Sequence, residues 1–190
     1  MADRPQRVAR ALTNALNPFF IFTVLYALVA FVDAGVSRGF LYLAVELIAA
    51  AAVAGYVVFM RRRSRVGDFW ISARADRLTP ALFLLATFVV LLAVLVLFDA
   101  PQDLFLLTLS MGLASAAVAL ITLLWKASAH STVAGHAAAG ALLLLGPTGI
   151  VFLLVLPLVV WSRVVTRAHT LPQALAGAAV GAGFAVLFLA

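Results

Sequence analysis

The sequence contains no cysteine and has few charged residues for its length. Of its 190 residues only 11% are charged, whereas a soluble domain has roughly 25%. Without cysteine the chain can form no disulfide, offers no thiolate nucleophile and cannot build a zinc–sulfur site. The scarcity of charge also excludes an ordinary water-soluble domain, because the surface of such a domain is rich in charged side chains.

Apolar residues dominate the composition. They make up 66% of the chain, and the mean hydropathy is +1.18. We therefore predict an all-α fold, a polytopic bundle of membrane helices. No long linker or low-complexity tract interrupts the chain, so residues 1–190 are expected to form one integral-membrane domain with a basic N-terminal segment at 1–16. No small-residue cleavage site follows the first apolar run, which we interpret as a retained helix rather than a secretory signal.

Seven apolar segments are candidates for spanning helices. Runs of about 18 or more apolar residues are typical of such helices, and the shorter segments here gain a turn from flanking polar residues. The segments are residues 18–32, 40–60, 81–98, 104–125, 132–146, 150–165 and 171–189. Seven crossings place every second gap on the same side. We call side A the side of the N-terminus and of gaps 61–80, 126–131 and 162–170. Side B holds gaps 33–38, 99–103 and 146–149 and the C-terminus.

The positive charges are distributed unequally between these two sides. Of the 13 lysines and arginines, Arg38 alone falls on side B. Basic residues in short loops favour the cytoplasm, so side A is predicted to be cytoplasmic and the membrane to be the plasma (inner) membrane. The net charge of +6 is then explained by topology, and no nucleic-acid partner is expected. The arginines of 61–65 are interpreted as an anchor near anionic lipid.

The first side A gap, residues 61–80, is predicted to be an interfacial loop or helix. Asp68, Arg74 and Arg77 recur at spacings that place them along one helical stripe. Arg74 and Arg77 can then bind one anionic group, with Asp68 or Asp76 orienting a guanidinium. An ordinary basic surface helix explains the same spacing.

The second gap contains Lys126, Ser128 and His130. Ser128 is predicted to cap the following helix and to leave backbone N–H groups available to an anion. His130 lies at the membrane rim, where it can protonate a leaving group. His136 is six residues further on and cannot share the helical face of His130, so we interpret it as a buried histidine bonded to a neighbouring helix.

The third gap carries the most specific pattern. Arg163 and Arg167 lie one helical turn apart, and so do His169 and Gln173. The carbonyl of Gln173 is predicted to hold one imidazole nitrogen of His169 and so to orient the other. The following segment contains Gly177-x3-Gly181, a close-packing motif. Arginine and histidine side chains that reach from the membrane to its polar rim give an alternative interpretation.

These three gaps resemble the type 2 phosphatidic acid phosphatase superfamily of membrane lipid-phosphate phosphatases. Its third motif, Ser-Arg-x5-His-x3-Asp, is matched by Ser162, Arg163, His169 and Gln173, with glutamine in place of the usual aspartate. Its second, Pro-Ser-Gly-His, is matched by Ala127-Ser128-Ala129-His130. Its first, Lys-x6-Arg-Pro, is absent, although Arg74 and Arg77 stand near Pro80. A second placement sets Gly135-His136 on the Gly-His pair; His130 keeps the Ser-x-His spacing and is preferred.

The resemblance implies a six- or seven-span phosphatase-like core and a function in lipid metabolism. His169 would attack phosphorus and form a phosphohistidine, and His130 would act as general acid and then as base. Arg163 would bind the phosphate with Lys126 and Ser128, helped by Arg74 or Arg77. Arg167, Asp68 and His136 are further candidates. No metal or other cofactor is implied, because arginine and lysine supply the positive charge. The substrate would be a phosphatidate-like lipid or a prenyl diphosphate held in the bilayer.

Three functions follow from these observations. The first is a metal-independent lipid-phosphate or prenyl-diphosphate phosphatase. The second is a catalytically weak or inactive protein that binds lipid phosphates, since glutamine cannot supply the negative charge of aspartate. The third is a small transporter, for which an intramembrane carboxylate, Glu46, gives some support. We place Glu46 near side B, far from the motifs, as a structural hydrogen bonder. The sequence does not indicate an oligomeric state.

Overall fold

The computed structural model describes residues 4–67 and 78–190. Within these ranges the chain forms α-helices joined by short turns, and no strand occurs. The predicted Asp68, Arg74, Asp76 and Arg77 lie outside the described residues. The helices are α1 (Arg4–Ala15), α2 (Pro18–Arg62), α3 (Leu78–Leu97), α4 (Gln102–Leu124), α5 (Ala129–Leu145), α6 (Ile150–Val165) and α7 (Leu171–Leu189).

The helices confirm the all-helical prediction for the described residues, and their length and apolar composition indicate an integral membrane protein. Five helical stretches in the described ranges are long and apolar enough to cross a membrane. They are Pro18–Arg62, Leu78–Leu97, Gln102–Leu124, Ala129–Val165 and Leu171–Leu189. The fourth stretch joins α5 and α6 across a 3₁₀ turn at Gly146–Gly149. Many large apolar side chains remain exposed on the outer faces of these helices, as expected where lipid rather than water surrounds the bundle.

The longest helix, α2, is a hairpin rather than a straight rod. Gly35 interrupts it with φ 71° and ψ 178°, a conformation that a residue without Cβ adopts readily. The hydroxyl of Thr23 donates to Oε1 of Glu46 at 2.8 Å, although 23 residues of straight helix would separate them by about 35 Å. The rings of Phe31 and Phe40 also meet, 5.0 Å apart. The chain therefore doubles back at Gly35 into two antiparallel arms, 18–34 and 36–62.

Hydrogen bonds at the two ends of the bundle join gaps that we assigned to the same side. On side B, the Arg38 guanidinium donates to the carbonyl oxygens of Phe98 and Asp99. The Tyr42 hydroxyl donates to the Phe98 carbonyl oxygen at 2.9 Å. On side A, the Thr13 hydroxyl of α1 donates to the Ser162 hydroxyl near the end of α6 at 3.2 Å. The short basic helix α1 thus lies against the side A end of α6.

The closest helix pair is α5 with α7. A Cβ built on Gly177 would lie 2.5 Å from the carbonyl oxygen of Ser128, and one on Gly181 would meet that of Thr132. Ordinary side chains cannot occupy those positions, so the two glycines let the backbones touch. The close-packing role predicted for Gly177-x3-Gly181 is confirmed. This contact fixes the start of α5 against the start of α7.

Adding one methyl group at Gly181 should separate α5 from α7. We expect Gly181→Ala to lower the free energy of unfolding by about 1–3 kcal/mol, the usual cost of overpacking, as measured by thermal unfolding in detergent. Gly183→Ala is the matched control, because a Cβ there meets no atom within 4 Å. It should leave stability unchanged or raise it by up to about 1 kcal/mol through helix propensity. Equal stability of the two variants would contradict the backbone contact.

Candidate functional site

One cavity brings together the residues that the second and third motifs single out. It has a volume of about 710 Å³ and lies between α2, α3, α4 and α5. His130, Arg163 and His169 all line it. Each is buried, with 6%, 7% and 7% of its surface exposed respectively. Side chains from two separate gaps of the chain therefore share one space at the side A end of the bundle.

Arg163 and His169 are brought together by the way α6 ends. Arg167 adopts a left-handed conformation with φ 56°. The Ala168 N–H donates to the Arg163 carbonyl at 3.1 Å, and the Arg167 N–H donates to the Val164 carbonyl at 2.9 Å. These two bonds define a Schellman cap. The His169 N–H also donates to the Arg163 carbonyl, at 3.2 Å. The cap reverses the chain direction after α6, so that His169, six residues after Arg163, has its backbone beside that of Arg163.

Gln173 has a role in the structure that we did not predict. Its side-chain oxygen accepts a hydrogen bond from the Thr170 N–H at 3.1 Å, and Thr170 caps α7 in return. This is a capping box, which satisfies two backbone donors at the start of a helix. We expected the same oxygen to hold the imidazole of His169. The sequence pattern Thr-x-x-Gln before an apolar run is typical of a capping box and could have predicted this role. Capping of α7 therefore accounts for a glutamine at position 173.

Ser128 caps α5, as predicted. Its side chain accepts from the Ser131 N–H at 3.3 Å and from the Ser131 hydroxyl at 3.0 Å. Its own N–H donates to the Gln173 carbonyl of α7 at 3.3 Å. This backbone bond links the second motif directly to the third. Ser128 lies two residues before His130, and Gln173 lies four residues after His169, so this bond holds the backbones that carry the two histidines close together.

The other predicted site residues within 4–67 and 78–190 are not among those that line this cavity. His136 is fully buried, and its Nε2 lies 2.8 Å from the Ser110 hydroxyl of α4, which confirms a histidine bonded to a neighbouring helix. If the second motif is placed at Gly135-His136, its histidine is therefore buried between helices and does not line the cavity. Lys126 is half-buried in the segment between α4 and α5, and Arg167 is exposed on the Schellman turn. Within 4–67 and 78–190, no group of three His, Cys, Asp or Glu residues is placed to hold a metal ion.

Glu46 lies closer to the motifs than we predicted. It lines the same cavity as His130, Arg163 and His169. Its hydrogen-bond partner Thr23 lies nearer to Pro18, at the side A end of the arm 18–34, than to the turn at Gly35. Glu46 is held at the same level of the bundle as Thr23. The arm 36–62 is longer than the arm 18–34 and extends past it. Glu46 does lie nearer the turn at Gly35 than the end of its arm at Arg62, as predicted, but our prediction that it lies far from the motifs was wrong, because it lines the same cavity.

The remainder of the cavity wall is mostly apolar. Phe22, Leu91, Met111 and Val118 represent the aliphatic and aromatic side chains that α2, α3 and α4 contribute. A site with a positive guanidinium and two imidazoles at one end, and hydrocarbon walls beyond them, matches an amphiphile with an anionic head. No protein-family model, curated protein or solved structure matches the chain.

Proposed function

We propose that this integral membrane protein is a phosphatase acting on a lipid phosphate or a prenyl diphosphate. One observation carries the proposal: His130, Arg163 and His169 line a single, largely apolar cavity. An arginine fork matches the geometry of phosphate oxygens. A histidine can accept a phosphoryl group, and a second one can carry protons. The likeness of these motifs to the type 2 phosphatidic acid phosphatase superfamily supports the same reaction.

The first chemical step makes a covalent intermediate. A ring nitrogen of His169 attacks phosphorus, and the bond from phosphorus to the leaving oxygen breaks. Arg163 stabilises the charge that develops on the equatorial oxygens. His130 donates a proton to the leaving alkoxide, or to the leaving phosphate of a diphosphate. The products of this step are a phosphohistidine and the dephosphorylated lipid.

Hydrolysis of the intermediate uses the same three side chains. His130, now neutral, takes a proton from a water molecule that attacks the phosphohistidine. The bond from His169 to phosphorus breaks, and inorganic phosphate leaves. From the resemblance alone we propose Lys126, Ser128, Arg74 and Arg77 as further phosphate contacts, although Lys126 and Ser128, just before α5, are not among the residues that line the cavity. No metal or cofactor takes part in this scheme.

The glutamine at position 173 is compatible with this chemistry. In the structure the backbone of His169 is held by the Arg163 carbonyl, and the start of α7 is held by the capping box. The backbone position of His169 is therefore set by the Schellman turn and does not require a carboxylate at residue 173. The absence of a carboxylate at 173 still leaves a positively charged His169 less stabilised, so we expect a slower enzyme than one with aspartate there.

Phosphate release from a lipid phosphate in detergent, with chelator present, tests the proposal. We expect Arg163→Lys to lower the rate about 100-fold, because lysine keeps the charge but loses the fork. Arg167→Lys, the matched control on the exposed turn, should retain the wild-type rate. His169→Ala should reduce release to background. Full activity of His169→Ala would exclude the phosphohistidine, and tight lipid-phosphate binding without turnover by the wild type would indicate a binding protein.

We further propose seven membrane crossings, with side A in the cytoplasm of the plasma (inner) membrane. The two α2 arms and the α5–α6 pair supply the crossings beyond the five apolar stretches. Because the sequence contains no cysteine, a single introduced cysteine is the one thiol of the chain that a maleimide can label. Ser37→Cys and Thr148→Cys, on exposed side B positions, should react with an impermeant maleimide in whole cells. Arg62→Cys on side A should react only after lysis. The reverse pattern would refute the orientation, and labelling of Ser37→Cys and Thr148→Cys from opposite sides would refute the crossing number.

A further inference from the structure

Glu46 is a buried carboxylate that the proposed reaction does not use. It is 3% exposed and lines the cavity. Its Oε1 accepts a hydrogen bond from Thr23. Its Oε2 is buried and accepts no hydrogen bond from the described residues. A buried carboxyl oxygen without a donor is costly, so such a group in a native protein calls for an explanation, and its position on the cavity wall makes a ligand one candidate partner.

The position of Glu46 along the cavity indicates what part of a ligand it meets. Of the cavity-lining residues on the arm 36–62, Glu46 is nearest the turn at Gly35, and Val57 is nearest side A. At the rise of an α-helix the stretch between them is about 16 Å long, which gives the extent of the cavity along this arm. Arg163 and His169 stand where α6 and α7 meet on side A. Glu46 therefore lies towards the deep end, where the tail of an amphiphile would run.

We propose that the cavity selects an amphiphile whose apolar part carries a hydroxyl group, and that Glu46 accepts a hydrogen bond from it. This inference rests on the proposed function for the anchoring of the anionic head. A plain hydrocarbon tail would leave the Glu46 oxygen without a donor. An ammonium group would have to lose more hydration than a hydroxyl on entering walls of leucine, phenylalanine and methionine. A neutral hydroxyl satisfies the carboxyl oxygen and enters the apolar cavity at the lower cost.

A hydroxyl scan tests the proposal through binding rather than turnover. The probes are hexadecyl phosphate and a series of its derivatives with one hydroxyl at successive chain positions. Binding is measured calorimetrically in detergent, with the His169→Ala variant used so that no probe is hydrolysed. We expect affinity to peak at one mid-chain position, about tenfold above the unsubstituted probe, because a ligand hydroxyl then meets an otherwise unsatisfied acceptor.

Variants of residue 46 show whether Glu46 causes the peak in affinity. Glu46→Leu should abolish it while hexadecyl phosphate binds at least as well as before. Glu46→Gln, which keeps the shape and a weaker acceptor, should reduce the preference to a few-fold and serves if the leucine variant does not fold. Asp33→Asn is the control, because this carboxylate on the other α2 arm is exposed and lies outside the cavity wall. It should leave the peak unchanged.

The outcomes separate this inference from the proposed reaction. The hydroxyl of Tyr26, on the same arm as Thr23, is also buried and has no hydrogen-bond partner among the described residues. A flat profile would overturn the inference, since water or this hydroxyl would then satisfy Glu46 without the ligand. A peak that survives in Glu46→Gln and Glu46→Leu would overturn the assignment to Glu46. A peak that depends on Glu46 in a protein that releases no phosphate would leave the selectivity standing and refute the catalysis. Failure of every alkyl phosphate to bind would refute both.

Discussion

The backbone contact between α5 and α7 is the constraint on which the rest of the site depends. Gly177 and Gly181 have no side chains, so α7 can touch the carbonyl oxygens of Ser128 and Thr132. At the same place the Ser128 N–H donates to the Gln173 carbonyl. Two helix starts that are distant in the chain are thereby fixed to each other. His130 and His169 lie next to this contact, so it holds their backbones near each other. The Schellman turn at the end of α6 then places Arg163 beside His169.

Several elements of this arrangement could be predicted because their signals are local. The N-cap at Ser128 needs only a serine before a helix, and the packing of α7 needs only glycines four residues apart. The burial of His136 followed from its helical face. One residue can also fit two local patterns, as Gln173 does. A glutamine three residues after a capping threonine and four after a histidine can serve either neighbour, and in the structure its side chain caps the helix.

Other elements could not be predicted from the sequence, because they depend on how distant segments are aligned against each other. The depth of Glu46 is set by the pairing of the two α2 arms, and hydropathy alone does not show that the second arm extends past the first. The same limit applies to the number of crossings. Apolar runs mark where helices lie, whereas the left-handed Gly35 and the Thr23–Glu46 bond show where the chain turns back. The bond from Thr13 to Ser162 likewise joins segments 149 residues apart.

The cavity has a lining that suits an amphiphile, with a guanidinium and two imidazoles near side A and a carboxylate deeper in its apolar wall. The central claim is that His130, Arg163 and His169 act on one anion. The most direct measurement is an experimental structure of the protein with orthovanadate, which mimics the five-coordinate transition state of phosphoryl transfer when it binds a nucleophile. We predict one vanadate in the cavity, bonded to a ring nitrogen of His169 and contacted by Arg163 and His130. Vanadate bound away from His169, or a cavity that stays empty at saturating vanadate, would contradict the account.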